Sequence, residues 1–277
     1  MLKKDSIKRY IRQIFAFIEK SLYLEFRIRT QFFSRFLTPL IELFLFIILF
    51  GAIFKARPGY KIGYWDSSNF VLFLLIAFCI QFTKPVIMEY KRLFINEKYW
   101  KTISAIMVAP VNRFTLLVSV LISELVVVGI PFSILFVIAL ILYPIPLFII
   151  FLILLIFLAI FLIFGALGLI IAVFSISNEE YIAYLTIILR FTFLFSCTNI
   201  PLEIFPKSLH FIILINPFYY IFDLLRLTWY SGIEYEVSMR YITPTHIIIL
   251  IVFTIISPII AVYLFNKVYK KYGIVGY

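Results

Sequence analysis

Three ionisable residues, Glu42, Glu124 and Arg190, stand inside long apolar runs of this 277-residue sequence. A charge at the centre of a membrane-spanning helix costs about 2.5–3.5 kcal/mol on insertion scales, so each calls for a partner or a polar path. At about 1.5 Å rise per residue they fall at comparable depths, roughly 9–15 Å from one end of their helices, and Glu124 and Arg190 match best. Two readings follow. Arg190 pairs with one of the acids and holds two helices together, or it faces a path and meets an anionic group on a cargo. Enzyme chemistry is poorly supplied by comparison. Cys79 and Cys197 lie in apolar runs without metal or redox spacing. His210 and His246 have no ligand partner nearby in sequence, and no nucleophile and base converge. No catalytic, cofactor or metal residue is expected. No G-x-x-x-x-G-K-[ST] occurs, and none of the nine glycines precedes a lysine, so ATP hydrolysis must come from another polypeptide.

The elements that position these charges follow from composition. The chain is 64% hydrophobic and 14% charged, with 33 Phe and 18 Tyr, and its mean hydropathy is +1.09. Soluble domains are nearer half apolar. A helix needs about 20 apolar residues to cross the hydrocarbon core, and several runs meet this. The expected fold is all-α and polytopic, a single membrane domain over residues 1–277. Residues 1–35 form an N-terminal interfacial helix, 36–265 a six-span bundle and 266–277 a cytoplasmic tail.

The six spans read as Phe36–Phe54, Phe70–Met88, Phe114–Leu142, one from Tyr143-Pro144-Ile145-Pro146 to near Phe174, Tyr181–Ile200 and Thr245–Phe265. Pro131, after Gly129 and Ile130, removes a backbone donor and predicts a tilt or kink in the third. Gly165, Gly168 and Ala172 put small residues on the fourth, which suits close packing within the subunit rather than a dimer seam. Phe191, Phe193 and Phe195 on the fifth suit lipid or core contact, or the lining of a path. With the N-terminus inside, eighteen Lys/Arg fall on inner segments against six on outer ones. This bias sets the orientation, with both termini cytoplasmic in a multi-pass protein of the plasma membrane. The net charge of +11 is therefore topological and does not point to nucleic acid. Ile7, Tyr10, Ile11, Ile14, Phe15, Ile18 and Leu22 recur at helical spacing with basic residues between them. That pattern fits a helix lying at the inner interface against anionic headgroups, or packed on the bundle.

The segment NEKYWKTISAIMVAPVNRF, Asn96 to Phe114, interrupts the apolar pattern between spans two and three. Glu97, Lys98 and Lys101 alternate with apolar Trp100, Ile103, Ile106 and Met107, and Pro110 ends the helix before Asn112-Arg113. Such a short helix is marginal alone. It implies a partner surface, or the inner membrane face. Ser177-Asn178-Glu179-Glu180 has the S-x-x-E form of a capping box opening span five, and its acids are also placed to face an inner partner.

On these elements the sequence resembles the type-2 permease subunits of ATP-binding cassette exporters along nearly its whole length. The resemblance rests on the basic N-terminal helix, the six spans and the inner helix followed by Ala109-Pro110-Val111-Asn112-Arg113. It rests also on IPLEIFPKSLHFIILINPFYYIFDLLR, Ile200 to Arg226, which is similar to the family's segment of two spaced prolines, Asn-Pro, an aromatic pair and Asp-x-x-Arg. Lys101-Thr102-Ile103-Ser104 stands where the family carries Gly-Thr-Leu-Glu.

The resemblance implies a transport subunit rather than an enzyme. A separate ATPase subunit holds ATP and Mg, and a second permease subunit forms a homodimer with the first in membrane lipid. Asn96, Glu97, Trp100, Lys101, Ile103, Met107, Pro110 and Arg113 would form the coupling helix seated on the ATPase. Pro201, Pro206, Asn216, Pro217, Asp223 and Arg226 would build an outer gate of two short re-entrant helices, His210–Ile215 and one running from Pro217 through Tyr220 to Leu227, with Asp223 and Arg226 spaced to pair. The cargo this implies is hydrophobic, drug-like or lipid, moved outward; a polysaccharide or lipid-linked glycan is the alternative. An ion-driven secondary transporter is the alternative from another class, although it would show paired halves with broken helices.

Overall fold

The computed structural model describes residues 2–27, 29–90, 113–177 and 180–272. Within these the chain forms α1 (Leu2–Arg27), α2 (Arg29–Ala56), α3 (Phe70–Thr83), α4 (Arg113–Leu142), α5 (Leu147–Ser177), α6 (Glu180–Leu194), α7 (His210–Ile215), α8 (Pro217–Ser231), α9 (Tyr235–Tyr241) and α10 (Pro244–Tyr272). Two 3₁₀ turns, Leu202–Ile204 and Lys207–Leu209, precede α7. No strand occurs among the described residues. Five stretches are long and apolar enough to cross a membrane: Phe36–Ala56, Phe70–Tyr90, Leu117–Leu142, Leu147–Phe174 and Pro244–Lys267. The pair formed by Lys207–Ile215 and Pro217–Ser231 adds a sixth if taken as one bent span, with 92° between its arms.

The fold departs from the sequence reading at span five. The expected helix over Tyr181–Ile200 ends at Leu194, and residues 195–200 are turns and bends. Cys197 takes φ 54°, a left-handed conformation that no helix continues through. The apolar stretch Ala183–Leu194 is then too short to cross a membrane alone. Span three keeps to expectation in extent, and α4 remains one helix through Gly129 and Pro131.

Burial sorts the helices. In α3 every residue from Leu72 to Ile80 is buried, and α2, α4, α5 and α8 pack around it. A helix apolar on all sides belongs at the centre of a bundle. In contrast α2 exposes Ile41, Phe44 and Ile48, and α10 exposes Ile251, Ile255 and Ile259. These apolar faces suit lipid tails, against which association depends on close packing and polar contacts. Gly168 shows such packing. A Cβ built there would lie 2.7 Å from the Ile87 carbonyl oxygen and 3.0 Å from its Cα, so α5 and the second span touch backbone to backbone. The small residues of span four thus serve contacts within the subunit. The N-terminal helix α1 packs on α4 and α2.

Candidate functional site

The bent pair α7–α8 organises a polar site. Its break is local chemistry: Pro217 has no N–H to continue α7, and Asn216 turns extended (ψ 116°) and caps α8 by accepting from Phe218 N at 3.0 Å. The Asn216 amide also donates to the Thr192 carbonyl at 2.6 Å, which ties the bend to α6. Phe218 and Phe222 pack on Phe164, near the middle of α5. The start of α8 is therefore deep in the bundle. Its other end reaches the loops: Trp229 Nε1 donates to Tyr143 O at 3.3 Å, and Tyr230 accepts from Asn69 Nδ2 at 3.3 Å.

Beside α8 lies a cavity of about 370 Å³, lined by the loop around Tyr64, the turn at Cys197–Glu203, α8 and the start of α10. Its polar groups are Glu203, Asp223, Arg226 and His246, set among Tyr64, Trp65, Tyr219, Tyr220 and Tyr241. Asp223 is the hub. Tyr64 Oη donates to it at 3.3 Å, and His246 Nε2 stands 3.4 Å away on its other oxygen. The Thr243 backbone N–H donates to His246 Nδ1 at 3.2 Å. That bond requires a lone pair on Nδ1 and leaves the ring proton on Nε2, toward the carboxylate. Burial raises the Tyr64 hydroxyl pKa well above its ordinary value, and the Asp223 charge raises it further. Tyr64 is thereby kept as a donor.

Arg226 is only 1% exposed. The expected pair with Asp223 three residues earlier does not form as an ion pair. Instead Nη2 donates to Cys197 O at 2.8 Å and to Thr198 O, and the guanidinium lies 4.1 Å from the Phe73 ring centroid. Its Nε finds no hydrogen-bond acceptor, and His246 Nε2 is likewise without an aligned one.

The remaining expected residues are dispersed. Glu42 is exposed on α2 and accepts from Gln81 Nε2 at 3.4 Å. Glu124 is buried on α4, within electrostatic range of Tyr90. Arg190 is exposed on α6, and among the described residues no ion pair joins it to either acid. Pro201 and Pro206 open the two 3₁₀ turns. Asn96, Glu97, Trp100, Lys101, Ile103, Met107 and Pro110 lie outside the described residues, as do Asn178 and Glu179; Arg113 opens α4.

Sequence reasoning gave no site role to Tyr64, Trp65, Phe73 and Lys84, and it set aside Cys197 as a packing residue and His246 as unpartnered. Lys84, counted with the inner segments, stands where α3 ends, its ammonium 4.8 Å from the Phe193 ring centroid. One signal was available for His246: it follows Pro244 closely, at the mouth of the last span. No match is found among the curated proteins. The family model described as ABC-2 type transporter matches residues 12–230, which takes in α2 to α7 and all of α8 but its last residue. The chain belongs to the ABC-2 type transporter family, as a multi-pass membrane permease subunit of an ABC transporter.

Proposed function

We propose that the chain is the membrane half of an ATP-driven exporter that moves a hydrophobic, drug-like or lipid cargo outward. Two copies form the path, and separate ATPase subunits, which carry ATP and Mg, bind at the cytoplasmic side with both chain termini. Residues 96–113 act as the coupling helix. Closure of the ATPase pair displaces that helix and the two spans it joins, and Pro110 sets the angle at which the chain re-enters the membrane. The observation that best supports the reading is the bent pair α7–α8, whose 92° break is held beside the centre of the bundle and flanked by a polar cavity. A short arm anchored by Asn216 on α6 and by Arg226 on the Cys197 turn moves as a unit when α6 shifts. That makes it suited to open and close an outer exit.

The test is copurification of the full chain with its ATPase subunit in lipid, followed by a screen for amphiphiles that stimulate hydrolysis. The reading expects a stable complex and stimulation by outward-moving cargo. Transport by the chain with no ATPase bound would overturn it.

A further inference from the structure

Two cations stand inside the bundle, and among the described residues neither makes an ion pair. Lys84 lies within the second span, and among the described residues its ammonium has no hydrogen bond and no carboxylate at ion-pair distance. Its ammonium rests on the Phe193 ring, which in turn packs on Phe218, the second residue of α8 (centroids 5.5 Å apart). The α8 N-terminus carries the positive end of a helix dipole and adds to the same field. Arg226 lies within electrostatic range of Lys84 and is itself buried with Nε unpartnered. Glu42 acts on Lys84 from α2, but it is exposed and already accepts from Gln81. A cation on an aromatic face recovers less than its burial in a membrane span costs. Where α3, α6 and α8 converge, neither cation thus has a carboxylate at ion-pair distance among the described residues, and Glu42 and Asp223 act on them only at longer range.

We propose that this region binds the anionic headgroup, phosphate or carboxylate, of an amphiphilic cargo, with Lys84 as the inner station and Arg226 as the next. The proposal rests on the permease reading and names the charge of the cargo. Half-buried Phe193 offers apolar surface beside the first station, where an acyl or other apolar chain would lie, and buried Phe218 and Phe222 back it from the core. At the second station the headgroup reaches the cavity, and Arg226 Nε and His246 Nε2 supply donors without aligned acceptors. Asp223 and Glu203 line the same cavity. Their charges oppose retention of an anion that has passed Arg226, so the arrangement favours release over storage.

The experiment measures binding of four single-chain probes to the purified full chain, alone and with its ATPase subunit, in a neutral maltoside detergent. The probes are dodecyl phosphate, dodecanoate, dodecanol and dodecyltrimethylammonium. At least one anionic probe should bind saturably and more tightly than the neutral and cationic ones, and the better of the two identifies phosphate or carboxylate. Lys84→Gln should weaken it by about tenfold or more, and Lys84→Arg should restore it. Equal binding of dodecanol or dodecyltrimethylammonium by the wild type overturns the proposal, and that comparison needs no variant to fold. Unchanged anion affinity in a monodisperse Lys84→Gln protein overturns it as well. Association with the ATPase is read on the same samples. Loss of charge selectivity with the complex intact refutes the anion site alone, whereas selectivity without any ATPase association refutes the permease reading.

Discussion

Arg226 donates to the carbonyl of Cys197, and Cys197 is the non-glycine residue with a left-handed backbone among those described. The two features explain each other. The left-handed residue lies in the turn that follows α6 and directs its carbonyl toward the bundle, where Arg226 compensates both that oxygen and the next, on Thr198. Left-handed backbone in an L-residue costs roughly 1–2 kcal/mol, and hydrogen bonds to a charged group contribute about 1.5–3 kcal/mol.

Arg226→Met should therefore lower stability by on the order of 3 kcal/mol, read as a fall in the thermal midpoint of the purified protein. Cys197→Gly should be tolerated because glycine accepts the left-handed region, whereas Cys197→Val should be destabilised by its β-branch. Equal stability of the two Cys197 variants would contradict the strained turn.

Close packing at Gly168 gives a second outcome. Gly168→Val places a side chain against the Ile87 backbone, which cannot rotate away. Overpacking of this kind costs about 1–3 kcal/mol, so the monodisperse fraction on size exclusion should drop. Gly51→Val is the control, since a Cβ there meets nothing within 4 Å.

The α2–α3 loop carries a pH dependence of defined sign. Burial pushes the Asp66 carboxyl pKa upward, but bonds from the Ser68 hydroxyl at 2.5 Å, the Ser68 amide at 2.9 Å and the Asn69 amide, with the Lys61 charge, together outweigh it and leave the pKa below its ordinary 3.8. A lowered folded-state value contributes stability above the unfolded pKa, and this is lost as pH falls through the folded one. Wild-type protein should lose protection of this loop below about pH 4, as measured by hydrogen exchange. Asp66→Asn should flatten that dependence.

Trp100 tests the coupling helix. Interface energy concentrates in Trp, Tyr and Arg, so Trp100→Ala should weaken copurification of the ATPase or uncouple its hydrolysis from cargo by about tenfold. The thermal midpoint of the membrane subunit alone should not move. Wild-type assembly and stimulation in that variant would remove Trp100 from the interface.

The division between what was legible in the chain and what was not has a physical basis. Apolar runs of about 20 residues can do little but cross a bilayer or fill a core, so Phe36–Ala56, Phe70–Tyr90 and Leu147–Phe174 could be read directly from composition. Pro217 after Asn216 likewise announces its own bend, because the missing donor acts locally. Partnership is different. Glu124 and Arg190 match in depth along their helices, yet helix rotation and packing decide which way each faces, and Arg190 turns outward. Arg226, spaced to meet Asp223, reaches instead for carbonyls 28 and 29 residues earlier. His246 meets Asp223 only because α10 packs on α8. Hydrophobicity is a property of each residue and accumulates along the chain. A polar site is a property of the distances between residues, and those exist only once the helices have packed.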